Sequence, residues 1–190
     1  MINAFTNVMV FLIEFIFSIF VYAVLLRFFL QWVKVDFYNP FCQMIIHITN
    51  PLLRPLRLII PGFFAVDMAA LILAYIVTLL QLTLVAWLVS VTVTSDWYII
   101  LLTALIKLIL SGINLYIWLI IIRAITSWFS QARYHPEIIA LQQLTEPLLN
   151  KIRRTIPVTK SGFDFSPIIA LLVLFCLQVF ITSIAKIDFI

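Results

Sequence analysis

Residues 27–81 recur at 123–178, and a chain written twice folds as two copies of one unit. The first copy reads Arg27, Trp32, Pro40, Thr49-Asn50-Pro51-Leu52-Leu53, Arg57, Pro61, Gly62, Asp67 and Gln81. The second reads Arg123, Trp128, Pro136, Thr145-Glu146-Pro147-Leu148-Leu149, Arg153, Pro157, Gly162, Asp164 and Gln178. The copies keep a spacing of 96 from Arg27/Arg123 to Pro61/Pro157 and of 97 from Asp67/Asp164 onward, which places a one-residue insertion before Gly162. Two units follow, residues 1–91 and 92–190.

Each unit is built for a bilayer. Hydrophobic residues make up 65% of the 190 and charged residues 11%, far from the balance of a soluble domain. A helix needs roughly 20 apolar residues to cross the hydrocarbon core. Four runs reach that length: about 8–33, 67–91, 97–128 and 164–186. Alternation of polar and apolar residues is missing and three glycines are few for the turns of a barrel, so the runs read as helices. The first run lacks a basic leading segment and an A-x-A site, and reads as a retained span rather than a cleaved signal. The predicted architecture is all-α and integral to the membrane: four transmembrane helices as two tandem parallel repeats, each a span, an amphipathic cytoplasmic segment and a second span.

The basic residues set the expected orientation. Lys34, Arg54 and Arg57 lie between the first two spans, and Arg133, Lys151, Arg153, Arg154 and Lys160 between the last two. With Arg27 and Arg123 at the adjoining span ends these are ten of the twelve Lys and Arg, while residues 92–96 have none. The positive-inside rule then predicts cytoplasmic long loops and both termini outside. An even number of spans per unit makes the units parallel, related by an axis along the membrane normal.

The loops have a pattern of their own. A break is expected at Asn50-Pro51, because a residue before proline avoids the α region, with Pro51 opening a new helix capped by Thr49 or Asn50. From there Leu52, Leu53, Leu56, Ile59 and Ile60 share one side, and Arg54 and Arg57 another. The second copy sets Leu148, Leu149, Ile152 and Ile156 against Lys151, Arg153 and Arg154. Pro55 falls inside the proposed helix with Lys151 at its counterpart, and a kink or re-entrant turn is the expected consequence. Such basic amphipathic segments belong in the cytoplasmic headgroup layer, either as a docking surface for anionic lipid or an acidic partner, or as anchors only.

A polar frame repeats with the motif. Arg27 and Arg123 close a span at its C-terminal end, and Asp67 and Asp164 open one at its N-terminal end, with Ser166 following the second aspartate. Shared level predicts Arg27–Asp67 and Arg123–Asp164 pairs; capping and snorkelling alone is the other reading. Deeper, Glu14 and Lys107 are the only charges within spans. They lie 13 and 16 residues from the repeated arginines, about 20 and 24 Å at helical rise, and Gln81 and Gln178 reach about 21 Å from the repeated aspartates. The four define an intramembrane polar layer, either a Glu14–Lys107 bridge with glutamines as interhelical glue or a site for an ion or polar group.

Catalysis and cofactor binding find little support. His47 and His135 occupy non-equivalent repeat positions outside the spans, which disfavours haem ligation, and Cys42 and Cys176 form neither a readable disulfide nor a zinc set. Phosphate cradles, His-Glu-x-x-His and nucleophile elbows are missing. Trp32, Trp87, Trp97 and Trp128 suit interfaces, and the net charge of +4 is a topology signal rather than a case for nucleic acid.

The doubled Arg, Trp, Asn/His-Pro (Asn39-Pro40, His135-Pro136), Thr-x-Pro-Leu-Leu, Arg-x-x-x-Pro and Gly…Asp-x-Ser-Pro-Ile pattern resembles the YggT family, also called YlmG. Asp164-Phe165-Ser166-Pro167 fits the motif, whereas Asp67-Met68-Ala69-Ala70 has lost Ser and Pro. The resemblance implies a small integral protein of the bacterial inner membrane, with relatives linked to cytochrome cofactor assembly, nucleoid partitioning or osmotic stress. Together these readings predict a non-enzymatic assembly or organising factor without cofactors. Its expected partners are anionic headgroups, an unidentified membrane or cytoplasmic protein and further copies of itself, as a homo-oligomer. The rival is a conduit for ions or small solutes lined by Glu14, Lys107, Gln81 and Gln178.

Overall fold

A computed structural model describes residues 4–35, 38–60, 67–89, 97–127, 135–155 and 164–185. The readings placed on residues 92–96, Trp128, Arg133, Ile156, Pro157, Lys160 and Gly162, and on Pro61 and Gly62, lie outside them. Six helices make up the described chain: α1 (Ala4–Trp32), α2 (Pro40–Ile59), α3 (Met68–Leu88), α4 (Trp97–Thr126), α5 (Pro136–Thr155) and α6 (Ser166–Ala185). Four of them, α1, α3, α4 and α6, are long and apolar enough to cross a bilayer, which makes this a multi-pass membrane protein. At 1.5 Å per residue α3 and α6 match a hydrocarbon core of about 30 Å, and α1 and α4 exceed it by roughly half, so they tilt or project.

The same three-helix order occurs twice. In the first half α1 packs on α3 with α2 against both, and in the second α4 packs on α6 with α5 against both. The halves meet through α3 and α4, through α1 and α4, and through α2 and α5. Contact between α2 and α5 puts both amphipathic helices at one end of the bundle, where the Asn39 amide donates to the Pro136 carbonyl across the join.

What seats these two helices is a stripe of apolar side chains. In α2, Cys42, Ile45, Thr49 and Leu53 recur at helical spacing and are buried. Leu53 inserts into the cluster formed by α1 and α3, including Val24, Leu25, Ala70 and Leu73. Its counterpart Leu149 is equally buried, against Ile120 and Ala170 of α4 and α6. Burial of each leucine contributes about 2 kcal/mol by area, and a charged residue at either position would unseat the helix.

The expected break at Asn50-Pro51 does not occur. Helix α2 runs through Pro51 and Pro55 and α5 through Pro147, and the cap of α2 is Asn39, whose side chain accepts from the Phe41 amide. Proline removes one backbone bond and opens the turn before it. On the turn before Pro51 the Thr49 hydroxyl donates back to the Ile45 carbonyl at 2.8 Å and Arg27 donates to the Ile46 carbonyl, so side chains tie this turn to α1. Thr145 and Arg123 do the same for Leu141 and Gln142.

Helix α1 ends without glycine. Lys34 takes φ 58° and the Val35 amide donates to the Leu30 carbonyl at 3.0 Å, the closing bond of a Schellman turn. Burial of Val35 against Leu30 and α5 repays the left-handed backbone, which costs a lysine more than a glycine.

Candidate functional site: two braces and a polar cavity

Where α2 and α5 meet the spans, each half carries a brace. Arg27 is buried and its Nη1 donates to Thr49 Oγ1 at 2.7 Å and Asn50 Oδ1 at 2.9 Å. Arg123 donates to Thr145 Oγ1 at the same 2.7 Å and forms an ion pair with Glu146. The duplicated arginines therefore reach the amphipathic helices, not the repeated aspartates. A fully buried threonine offers a matched acceptor on the turn before the proline, and the arginine donates to its hydroxyl and to a carbonyl of the same turn.

The aspartates are taken by the other arginine of each motif. Asp67 caps α3 by accepting from the Ala70 amide and pairs with Arg57. Asp164 accepts from the Ser166 amide at 3.0 Å and from its hydroxyl, and Arg153 Nε donates to it at 3.0 Å. The placement of both aspartates at span N-termini agrees with the helix-dipole argument, while the expected Arg27–Asp67 and Arg123–Asp164 pairs are replaced by Arg57–Asp67 and Arg153–Asp164. Arg153 also donates to Glu146 at 2.8 Å, which links Arg123, Glu146, Arg153 and Asp164 in one chain.

Charges within that chain shift one another. Burial pushes the Glu146 carboxyl up, but hydrogen bonds and charge from Arg123 and Arg153 outweigh it and hold the group below the usual carboxylate range. Asp164 behaves alike, with desolvation opposed by Arg153 and Ser166, and the Arg153 guanidinium is raised chiefly by its hydrogen bond to Asp164.

The basic face splits as a result. Arg57 and Arg153 turn inward to the aspartates, whereas Arg54, Arg154 and Lys151 stand exposed on the outer side of α2 and α5.

Between the halves, within the spans, lies a cavity of about 240 Å³. It brings together all four members of the sequence-derived polar layer, Glu14, Gln81, Lys107 and Gln178. Lys107 Nζ stands 3.7 Å from Glu14 Oε1, and Gln81 Nε2 donates to the Glu14 carbonyl. Ser18 and Tyr22 extend the α1 wall one and two turns below Glu14, facing Ser111 and Asn114 of α4. Gln178 Oε1 is buried and has no hydrogen-bond partner among the described residues.

Sequence reasoning missed Glu146, Thr49 and Thr145 as brace residues. The signal was present in the repeat: polar residues stand 22 and 23 positions after each arginine, at Thr49-Asn50 and Thr145-Glu146. No group of His, Cys, Asp and Glu able to hold a metal occurs among the described residues.

Two stretches, residues 6–88 and 102–185, each match the family model CCB3/YggT. The chain belongs to the CCB3/YggT family. It is 35% identical over 181 residues to the uncharacterized protein YggT of Escherichia coli K12, covering 95% of this chain and 92% of that one. A Vibrio alginolyticus protein encoded in a proC 3′ region is 40% identical over 166 residues, covering 86% and 87%. A Pseudomonas aeruginosa protein is 37% identical over 157 residues, covering 83% and 79%. No solved structure matches. The two CCB3/YggT matches take in both braces, from Arg27 to Asp67 and from Arg123 to Asp164, and each includes one glutamine of the cavity.

Proposed function

We propose that this CCB3/YggT protein is a non-enzymatic organising or assembly factor of the bacterial inner membrane, in which four spans hold α2 and α5 as a fixed cytoplasmic platform. The observation that carries this reading is the doubled brace. Arg27 and Arg123 fasten the two amphipathic helices to the spans at identical 2.7 Å contacts, and Asn39 joins the helices to each other. A helix that only coats a membrane needs no such fastening, whereas a surface presented to a partner gains affinity from being ordered before binding.

Concentration of Lys and Arg around this end supports its placement in the cytoplasm with both termini outside. Arg54, Arg154 and Lys151 then face anionic headgroups and an acidic partner, each exposed charge contributing about 1 kcal/mol near such a surface. Helix α6, with only Ser166 and Ala170 buried, offers its exposed Leu172, Phe175 and Val179 to a second copy in a homo-oligomer.

The cavity supports the rival conduit reading, but the layer between it and the braces opposes it. Val21, Val24, Leu25, Leu73, Ala74 and Val77 are buried there and pack as one apolar cluster.

The test is photo-crosslinking from the platform in intact cells. Arg54→Gln with Arg154→Gln should abolish crosslinked partners and complementation of a deletion while leaving thermal melting unchanged. Full complementation by that variant, together with solute flux in liposomes, would replace the platform with the conduit.

A further inference from the structure

We infer that the cavity between the halves is a monovalent-cation site whose ion exchanges with the proton of Lys107. This inference does not rest on the platform reading. Three observations lead to it. Gln178, a residue of the cavity wall, keeps a buried amide oxygen without a hydrogen-bond partner among the described residues. Glu14 is its one carboxylate, and Lys107 answers it from 3.7 Å, well beyond the 2.7–2.9 Å of a close charge-assisted bond. The side chain of Glu14 is 48% exposed, so the cavity has its mouth there, while the apolar layer of Val21, Val24, Leu73 and Val77 closes the other end.

The donor set selects the ion. A carboxylate, amide oxygens and the hydroxyls of Ser18, Ser111 and Tyr22 are hard oxygen ligands, suited to alkali ions. A divalent ion would keep a net positive charge against a single carboxylate among apolar helices, whereas a monovalent ion is balanced by Glu14. About 240 Å³ holds an alkali ion with water completing its shell.

The same charge balance dictates exchange. Among the described residues the titratable groups facing Lys107 are Glu14 and Tyr22 of α1; α3 and α6 contribute the neutral Gln81 and Gln178. One carboxylate neutralises one cation, and a second positive charge within a span is costly. When the ion takes Glu14, one N–H bond of the Lys107 ammonium breaks, its electron pair stays on Nζ, and the proton passes to water through the mouth. The reverse step restores the ammonium and expels the ion.

The experiment uses the purified full chain in detergent, weakly buffered with a pH dye, titrated with lithium, sodium and potassium chloride against N-methylglucamine chloride at equal ionic strength. An alkali ion should raise the melting temperature and release up to one proton per chain, with apparent affinity weakening about tenfold per pH unit of acidification. Lys107→Met should keep the cation-dependent rise in melting temperature and lose the proton release. Gln178→Leu, which leaves both charges in place, should weaken the cation effect, and Glu14→Gln should abolish it. Equal responses to alkali ions and N-methylglucamine, or proton release that survives Lys107→Met, would overturn the inference. None of these readouts involves Arg54 or Arg154, so the platform stands or falls separately.

Discussion

In the first half of the molecule Arg27 is buried and its hydrogen-bond partners among the described residues are neutral, with Asp67 paired to Arg57; in the second, Arg123 is half-buried and shares Glu146 with Arg153, which reaches on to Asp164. One position accounts for most of the difference, Asn50 in the first copy and Glu146 in the second. The neutral amide leaves two separate contacts, and the carboxylate joins them into a four-charge network. The buried, neutral arrangement depends on geometry and desolvation, whereas the linked one depends on charge and responds to pH and salt.

The largest expected effect comes from removing the buried arginine. Arg27→Ala leaves the fully buried Thr49 hydroxyl, and with it the part-buried Asn50 amide and Ile46 carbonyl, without their charged donor, and should cost about 3 kcal/mol. Arg123→Ala opens a site that water can reach, and about 1 kcal/mol is expected. Thermal melting in detergent measures both, and equal losses would mean that burial does not distinguish the two halves. A smaller effect is expected from acid. Glu146 and Asp164 have folded-state values below the ordinary range, so their stabilisation is complete above a carboxylate pKa of about 4 and is lost as pH falls through the lower folded values. Hydrogen exchange should show α5 opening before α2 on acidification, because α5 is held through Glu146 and Asp164 together, whereas α2 keeps the neutral contacts of Arg27 beside its Arg57–Asp67 pair. Simultaneous opening would remove the contrast.

Much of this was legible in the chain. Spans follow from the length of the apolar runs, and the convergence of Glu14, Gln81, Lys107 and Gln178 follows from counting helical rise from the repeated arginines and aspartates, because a helix converts sequence distance into depth. The partners of Arg27 and Arg123 were misread because shared depth does not fix azimuth: Asp67 lies at a matching level, yet Arg57 occupies its carboxylate and Thr49 lies within reach of Arg27. Continuity through Pro51 and Pro147 was hidden for a related reason. The preference before proline is local, while the bond from Arg27 that ties the turn before Pro51 to α1 comes from packing.

The smallest effect, and the one that sharpens the comparison most, is the interchange Asn50→Glu. It places a carboxylate between Arg27 and Arg57 as Glu146 stands between Arg123 and Arg153. Gain and cost nearly cancel at neutral pH: the new charge acquires guanidinium partners but is drawn beside a buried Arg27, and Arg57 is already committed to Asp67. A net change within about 1 kcal/mol is expected. What should change is the response to acid. A carboxylate paired in the folded state stabilises above its unfolded pKa and ceases to do so as pH falls, so α2 should acquire the acid-induced opening assigned to α5. Hydrogen exchange of α2 in Asn50→Glu against the parent chain reads this directly. A loss of several kcal/mol at neutral pH would show that the first half cannot accommodate the network, and that more than the residue after the threonine separates the two braces.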